Sequence, residues 1–330
     1  MIVARAPLRF SLGGGGSDLP AFASRHGGFV VSAAIDKYVY VTANRRFDRS
    51  IRVSYSKTEI VARAADVEHP IVREALLALG IDHSIEITSI ADLPANSGLG
   101  SSSTFTVALL DVLHAFKREV ASARQLAEEA CTIEIDRLGE PIGRQDQYVA
   151  AFGHVVAMTF GKDGSVEVER IDVLPEVLGE LEQNLVVVHT RVERPARTVL
   201  GEQGARLASD DAAAAAMHRI KAMGKETRAL LLAGEVDLYG DMLHEHWELK
   251  RSMASAMTSP GIDAIYQQAR ESGAVGGKLM GAGGGGFFLF YVRPAERRRF
   301  VLAMQQSGHR LLRFRFEPSG ARIVADLRSD

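Results

Sequence analysis

Residues 88–117, TSIADLPANSGLGSSSTFTVALLDVLHAFK, decide how the rest of this chain is read. An apolar run, Ser84 to Ile90, has the look of a strand and leads through Asp92-Leu93-Pro94 into a loop dense in glycine and serine, Ser97 to Ser103. Beyond it Phe105, Leu109, Val112, Leu113 and Phe116 recur near helical spacing. A loop of this kind at the start of a helix aims backbone N–H groups and the positive end of the helix dipole at one point. That is an anion site, and phosphate suits it best. Gly98 and Gly100 let the backbone approach phosphate oxygens with no Cβ in the way. Ser101, Ser102 and Ser103 can cap the free N–H groups of the first turn, and one of the hydroxyls can reach a magnesium ion.

Two common phosphate loops do not fit. No GxxxxGK[ST] occurs in the chain, which excludes a Walker A nucleoside triphosphatase. A GxGxxG match falls on Gly281, Gly283 and Gly286, but a strand-like run, Phe287 to Val292, follows it where a dinucleotide fold needs a helix.

With 330 residues the chain is long enough for two domains, each with a full core. A formal net charge of −2 argues against a nucleic-acid partner. One cysteine, Cys131, excludes an intramolecular disulfide framework and fits a reducing cytoplasm. No apolar run reaches membrane-spanning length and no leader-like h-region opens the chain, so the expectation is a soluble cytoplasmic protein without a membrane partner.

Toward the N-terminus, Pro7-Leu8-Arg9-Phe10-Ser11-Leu12-Gly13-Gly14-Gly15-Gly16-Ser17-Asp18-Leu19-Pro20 sets four glycines between Arg9 and Asp18. A packed protein keeps such a run where something must come close to the backbone, and the two flanking charges suit a hydroxyl-rich ligand. Strands are expected over Phe29–Ile35, Tyr38–Ala43 and Ile51–Tyr55, with a helix over Pro70–Leu79, which together make an α+β unit. A helix over Ala123–Leu138 carries Glu128, Glu129, Glu134 and Asp136. It breaks at Gly139-Glu140-Pro141-Ile142-Gly143, and Asp146 then stands at a helix start, as a cap or as a base. A hairpin over His154–Phe160 and Val166–Ile171 closes the first unit, and the boundary is placed between residues 178 and 179.

A strand, Leu185–His189, opens the second unit and is followed by Arg191, Arg194 and Arg197, a basic loop suited to an anionic group. Helices are expected over Ala212–Leu232, Val236–Ser255 and Gly261–Ser272, with His244 and His246 two apart and therefore no zinc pair. The glycine run Gly276–Gly286, the strand Phe287–Val292, a helix over Pro294–Ser307 and strands over Leu311–Phe316 and Ala321–Ala325 complete a ferredoxin-like pattern.

Three glycine-rich stretches in this order, PLRFSLGGGGSDLP, PANSGLGSSST and KLMGAGGGGF, resemble the three motifs of the GHMP small-molecule kinases. The resemblance implies an α+β chain of two domains, the first like ribosomal protein S5 domain 2 and the second ferredoxin-like, with the active site between them. Within that superfamily GGGGSDLP and GEPIGRQDQ resemble the heptose 7-phosphate kinases, and fucokinase-type sugar 1-kinases share part of the pattern. It further implies ATP and Mg2+, a small-molecule sugar phosphate as substrate, and leaves a homodimer open. Pro94, Ser97, Gly98, Leu99, Gly100, Ser101, Ser102 and Ser103 would wrap the ATP phosphates, with Ser101 or Ser102 and Glu134 on the metal. Motif two usually continues Ser-Ser-Ala and here reads Ser-Ser-Ser-Thr, which leaves the metal-binding serine open. Asp146 corresponds to the proposed base and Arg9 to the basic residue beside it. Asp18, Gly15, Gly16, Gly283 and Gly284 would hold the sugar, and Arg191 its phosphate.

Overall fold

The structure is a computed structural model that describes residues 1–95, 97–192, 196–254 and 257–328. Among the described residues twelve strands build two sheets. The first sheet contains β1 (Ile2–Gly13), β2 (Gly28–Arg45), β3 (Ile51–Ser54), β4 (Thr58–Val61), β5 (Ile85–Ala91), β6 (Val155–Phe160) and β7 (Val166–Arg170). The second contains β8 (Leu185–His189), β9 (Ala274–Leu279), β10 (Phe287–Val292) and β11 (Arg310–Leu312). The last strand, β12 (Arg322–Asp326), returns to the first sheet and pairs antiparallel with β1.

The first sheet runs β12-β1-β2-β5-β3-β4, with β6 also on β2 and β7 on β6. Among the described residues only β3 and β5 pair in parallel. The second sheet runs β11-β8-β10-β9 and is antiparallel throughout. Strand β1 decides what faces the cleft. Leu8, Phe10 and Leu12 point into the core, where Phe10 meets the Phe314 ring edge-on at 4.7 Å. The alternate residues Arg9 and Ser11 point the other way and line the cleft, as the two-residue period of a strand requires.

The helices are α1 (Pro20–His26), α2 (Pro70–Ala78), α3 (Ser101–Phe116), α4 (Ala123–Cys131), α5 (Gln145–Phe152), α6 (Pro175–Asn184), α7 (Ala196–Ser209), α8 (Asp211–Ala233), α9 (Tyr239–Ser252), α10 (Pro260–Glu271) and α11 (Pro294–Gln306). Helix α3 lies against β1 and β2 and buries Val107, Leu109, Leu110, Val112 and Leu113, which anchors the phosphate-type loop at its N-terminus to the sheet. No helix among the described residues is long and apolar enough to cross a membrane.

Five expectations differ from the structure. The two strands expected over 29–43 are one, because Asp36 and Lys37 lie in continuous extended backbone, with Asp36 accepting from the Arg315 N–H. The helix expected to run to Leu138 widens at Thr132–Arg137 into a π-turn, the segment that carries Glu134. Helix α7 was not foreseen, since the arginine-rich loop leads directly into it. The helix expected from Val236 opens as a 3-10 turn over Val236–Leu238, and Ser255 lies outside the described residues. Finally, the expected boundary after residue 178 falls inside α6, and β12, expected in the second domain, belongs to the first sheet. Ladder pairing with β1 is available to it only there.

Candidate active site

Helix α3 starts at Gly100, whose φ of 82° lies in the left-handed region, and its first turn has no side-chain cap. The serines expected to cap it are engaged elsewhere. The hydroxyls of Ser97 and Ser101 are 3.1 Å apart, and Ser102 Oγ donates to Glu134 Oε1 at 2.7 Å. The helix-start N–H groups are therefore left for an anion from outside. Leu99 is buried and its carbonyl accepts from the Arg9 backbone N–H, which ties the loop to β1. Pro94 is exposed at the loop entrance.

The third glycine run packs onto this loop. A Cβ on Gly281 would lie 2.6 Å from Gly98 Cα, and one on Gly98 would lie 2.8 Å from the Met280 carbonyl oxygen. Both residues have positive φ, 65° and 77°. Only glycine satisfies both demands, so the two loops lock backbone to backbone.

Asp146 stands in the first turn of α5, held by Arg9. The guanidinium donates from Nε to Oδ1 and from Nη2 to Oδ2, both at 2.7 Å, and from Nη1 to the Gly98 carbonyl at 2.8 Å. This fork fixes the carboxylate plane and links it to the phosphate-type loop. A Cβ on Gly100 would lie 3.2 Å from Asp146 Oδ2, so the carboxylate sits directly beside the start of α3.

Glu134 is buried and accepts from Ser102 and from Gln147 Nε2 at 2.8 Å. Burial raises its affinity for a proton above that of an ordinary glutamate. Among the described residues no cluster of three His, Cys, Asp or Glu side chains exists. One carboxylate with one hydroxyl suits magnesium, which keeps several waters and takes phosphate oxygens for the rest of its shell.

On the other side of Asp146 lies a cavity lined by Arg9, Ser11, Gly15, Gly16, Asp18 and Gln145 from the first domain. Asp18 is buried and accepts from the Gly16 N–H, the Gln145 N–H and Gln145 Nε2, all at 3.1 Å. Burial, then the charge of Asp146, raises its pKa. Ser11 Oγ and Gln203 Nε2 are buried without a hydrogen-bond partner, and both residues line this cavity. Such groups are costly unless a ligand engages them.

Sequence reasoning missed the far wall. His246 and Lys250 on α9 and Lys278 on β9 line the same cavity, and all three are buried. Lys250 Nζ donates to the Gly281 carbonyl, and Lys278 Nζ lies 3.5 Å from that of Leu12. Leu200 and Gln203 of the unforeseen helix α7 complete the lining. The available signal was the i, i+4 spacing of His246 and Lys250 around the buried Trp247.

Other expected residues are not brought to the cavity. Arg191 is exposed, with φ 60°, and its guanidinium lies near Gly308, while its neighbours Thr190 and Val192 hydrogen-bond Gly286 through their backbones. Arg197 is exposed and pairs with Glu140 at 4.0 Å, and Arg194 lies outside the described residues. Gly283 and Gly284 pack against Met257, where the Gly284 N–H donates to the Met257 carbonyl.

The model for the GHMP kinases N terminal domain matches residues 59–154, and that for the GHMP kinases C terminal matches residues 227–310, together more than half of the chain. The chain belongs to the GHMP kinases. The N-terminal match includes the Ser97–Ser103 loop, Glu134 and Asp146, and the C-terminal match includes Lys250, Lys278 and the third glycine run. Kinases of this family use ATP as phosphoryl donor. The D-glycero-alpha-D-manno-heptose 7-phosphate kinase of Campylobacter jejuni is 27% identical, over 96% of this chain and 97% of its own length. A crystal structure described as a D-glycero-D-manno-heptose 1-phosphate kinase from Bacteroides thetaiotaomicron superposes with a TM-score of 0.83 at 27% identity, covering 99% of this chain and all of that one. The bifunctional fucokinase/GDP-fucose pyrophosphorylase of Arabidopsis thaliana is also 27% identical, but the aligned region is only 30% of that protein. This GHMP kinase thus has the two-domain fold of the family, with a sugar-kinase-like active-site cleft.

Proposed function

We propose that this GHMP kinase transfers the γ-phosphoryl group of ATP to the anomeric hydroxyl of a D-glycero-D-manno-heptose already phosphorylated at its far end, C7. The observation that carries the reading is the acceptor cavity. It has carboxylate and hydroxyl groups for a sugar beside Asp146 and an excess of cationic side chains in its far wall. The full-length likeness to a heptose 7-phosphate kinase supports the same acceptor.

The chain's own groups divide the work. N–H groups of the Ser97–Ser103 loop hold the donor phosphates at the α3 dipole. Asp146, fixed by Arg9, orients the acceptor hydroxyl and receives its proton as the new O–P bond forms and the bond from Pγ to the departing ADP breaks. Asp18, Ser11 and Gln203 are the partners for the ring hydroxyls. Glu134 and Ser102 would hold the magnesium, which when bound neutralises charge on the phosphate oxygens.

A second reading, an unphosphorylated sugar as acceptor, is favoured by the equal identity to the fucokinase relative. Initial rates with heptose 7-phosphate, free heptose, L-fucose and D-galactose decide between them. The proposal expects kcat/KM for the sugar phosphate to exceed the others by at least about 100-fold, in line with charge-assisted recognition of a phosphate. A preference for free fucose or galactose would overturn it.

A further inference from the structure

Three basic and two acidic side chains line the acceptor cavity: Arg9, Lys250 and Lys278 against Asp18 and Asp146. Arg9 is spent on Asp146, which takes both of its forked donors. That leaves two lysines facing one remaining carboxylate, in a space where both lysines are more than nine-tenths buried. Neither forms an ion pair with a described residue. An ammonium has three N–H donors, and each lysine has a single carbonyl acceptor, Gly281 for Lys250 and Leu12 for Lys278. Burying uncompensated charge is expensive, and a packed wall that keeps two such groups side by side is built for an anion from outside.

Resting on the acceptor assignment above, we infer that Lys250 and Lys278 together seat the phosphate which the sugar substrate already carries, with His246 as the neutral third side of that seat. The role expected of Arg191 thereby passes to the second domain's α9 and β9. Lys250 follows His246 by one helical turn and so shares its face, and Lys278 reaches the same space from the neighbouring strand. Both lysines share the cavity lining with Ser11, Asp18 and Gln203, the partners proposed for the ring hydroxyls, so the seat opens onto the acceptor space. An acceptor held there is anchored at its phosphate while its other end meets Asp146.

The test is steady-state kinetics of Lys250→Met and Lys278→Met with ATP and heptose 7-phosphate, alongside calorimetric binding of heptose 7-phosphate and of free heptose without ATP. Methionine fills the same space and removes a buried charge, so folding is preserved and is checked by thermal melting. The expected result is a KM for the sugar phosphate raised about 10- to 100-fold, weaker binding of the sugar phosphate by the same factor, and unchanged KM for ATP and unchanged free-heptose binding. A fall in kcat with KM intact would show that the lysines serve the transferred group, and this would overturn the inference. So would unchanged kinetics and binding. Failure of the acceptor assignment reads out separately, as a wild-type enzyme that neither binds nor phosphorylates heptose 7-phosphate, and it takes the inference down with it.

Discussion

Asp146 is positioned from two directions, by the Arg9 fork and by its place in the first turn of α5, and a side chain held that firmly is an orienting group as well as a proton acceptor. Asp146→Asn keeps the shape but loses the base and one arm of the ion pair. It should lower kcat at least about 100-fold while ATP affinity, measured by calorimetry, stays within a few-fold. Near-wild-type turnover would reduce Asp146 to a helix-start residue. A second residue-scale expectation concerns pH. Burial, helped by Arg9 and opposed by Asp18, lowers the Lys250 pKa to about 8; Lys278 and His246 face the same space and are both pushed well down. Since a bound phosphate favours the ammonium, the free enzyme loses the Lys250 charge as pH rises through about 8. A sugar-phosphate dianion takes up a proton at about pH 6. KM for the acceptor should therefore be lowest between these values and climb on the alkaline side, whereas KM for ATP should not follow it. Asp146, Arg9 and Asp18 were legible from sequence because glycine runs frame them. Lys250 and Lys278 were not, since a lysine on a helix or strand usually faces water, and only tertiary packing shows that α9 and β9 turn these two inward.

At the scale of elements, the loop that opens α3 was readable because glycine and serine ahead of a helical period point to an anion site at a helix start. The family resemblance gives the third glycine run as a buttress of this loop, and in the fold Gly281 is pressed against Gly98. Gly281→Ala places a Cβ 2.6 Å from Gly98 Cα on a backbone with φ 65°. The change should cost about 1–3 kcal/mol of stability. It should also raise KM for ATP more than KM for the acceptor, because the displaced partner is the donor loop. Equal effects on both constants, with an unchanged melting temperature, would contradict this. The π-turn at Thr132–Arg137 and helix α7 escaped the sequence for different reasons. A π-turn keeps a helical pattern of side chains while shifting their phase, and α7 has a weakly amphipathic sequence that packs chiefly through what surrounds it.

For the whole molecule, the order of glycine motifs along the chain carried the architecture. What they could not carry was the return of the last strand to the first sheet, since β12 is a short half-buried strand whose pairing with β1 spans nearly the full chain. That closure brackets the second sheet between two parts of the first domain and sets α9 and β9 opposite Arg9, Ser11 and Asp18. On the proposed reading the cleft has a donor side at α3 and an acceptor side lined by α9 and β9, and the product is a bisphosphate with its two phosphates at opposite ends of the sugar. Phosphorus NMR of the product formed from D-glycero-D-manno-heptose 7-phosphate and ATP tests this most directly. The account predicts two sugar-phosphate resonances in equal amount, one of them a doublet split by the single anomeric proton. A lone sugar-phosphate resonance after complete incubation, or a second one without coupling to the anomeric proton, would contradict it.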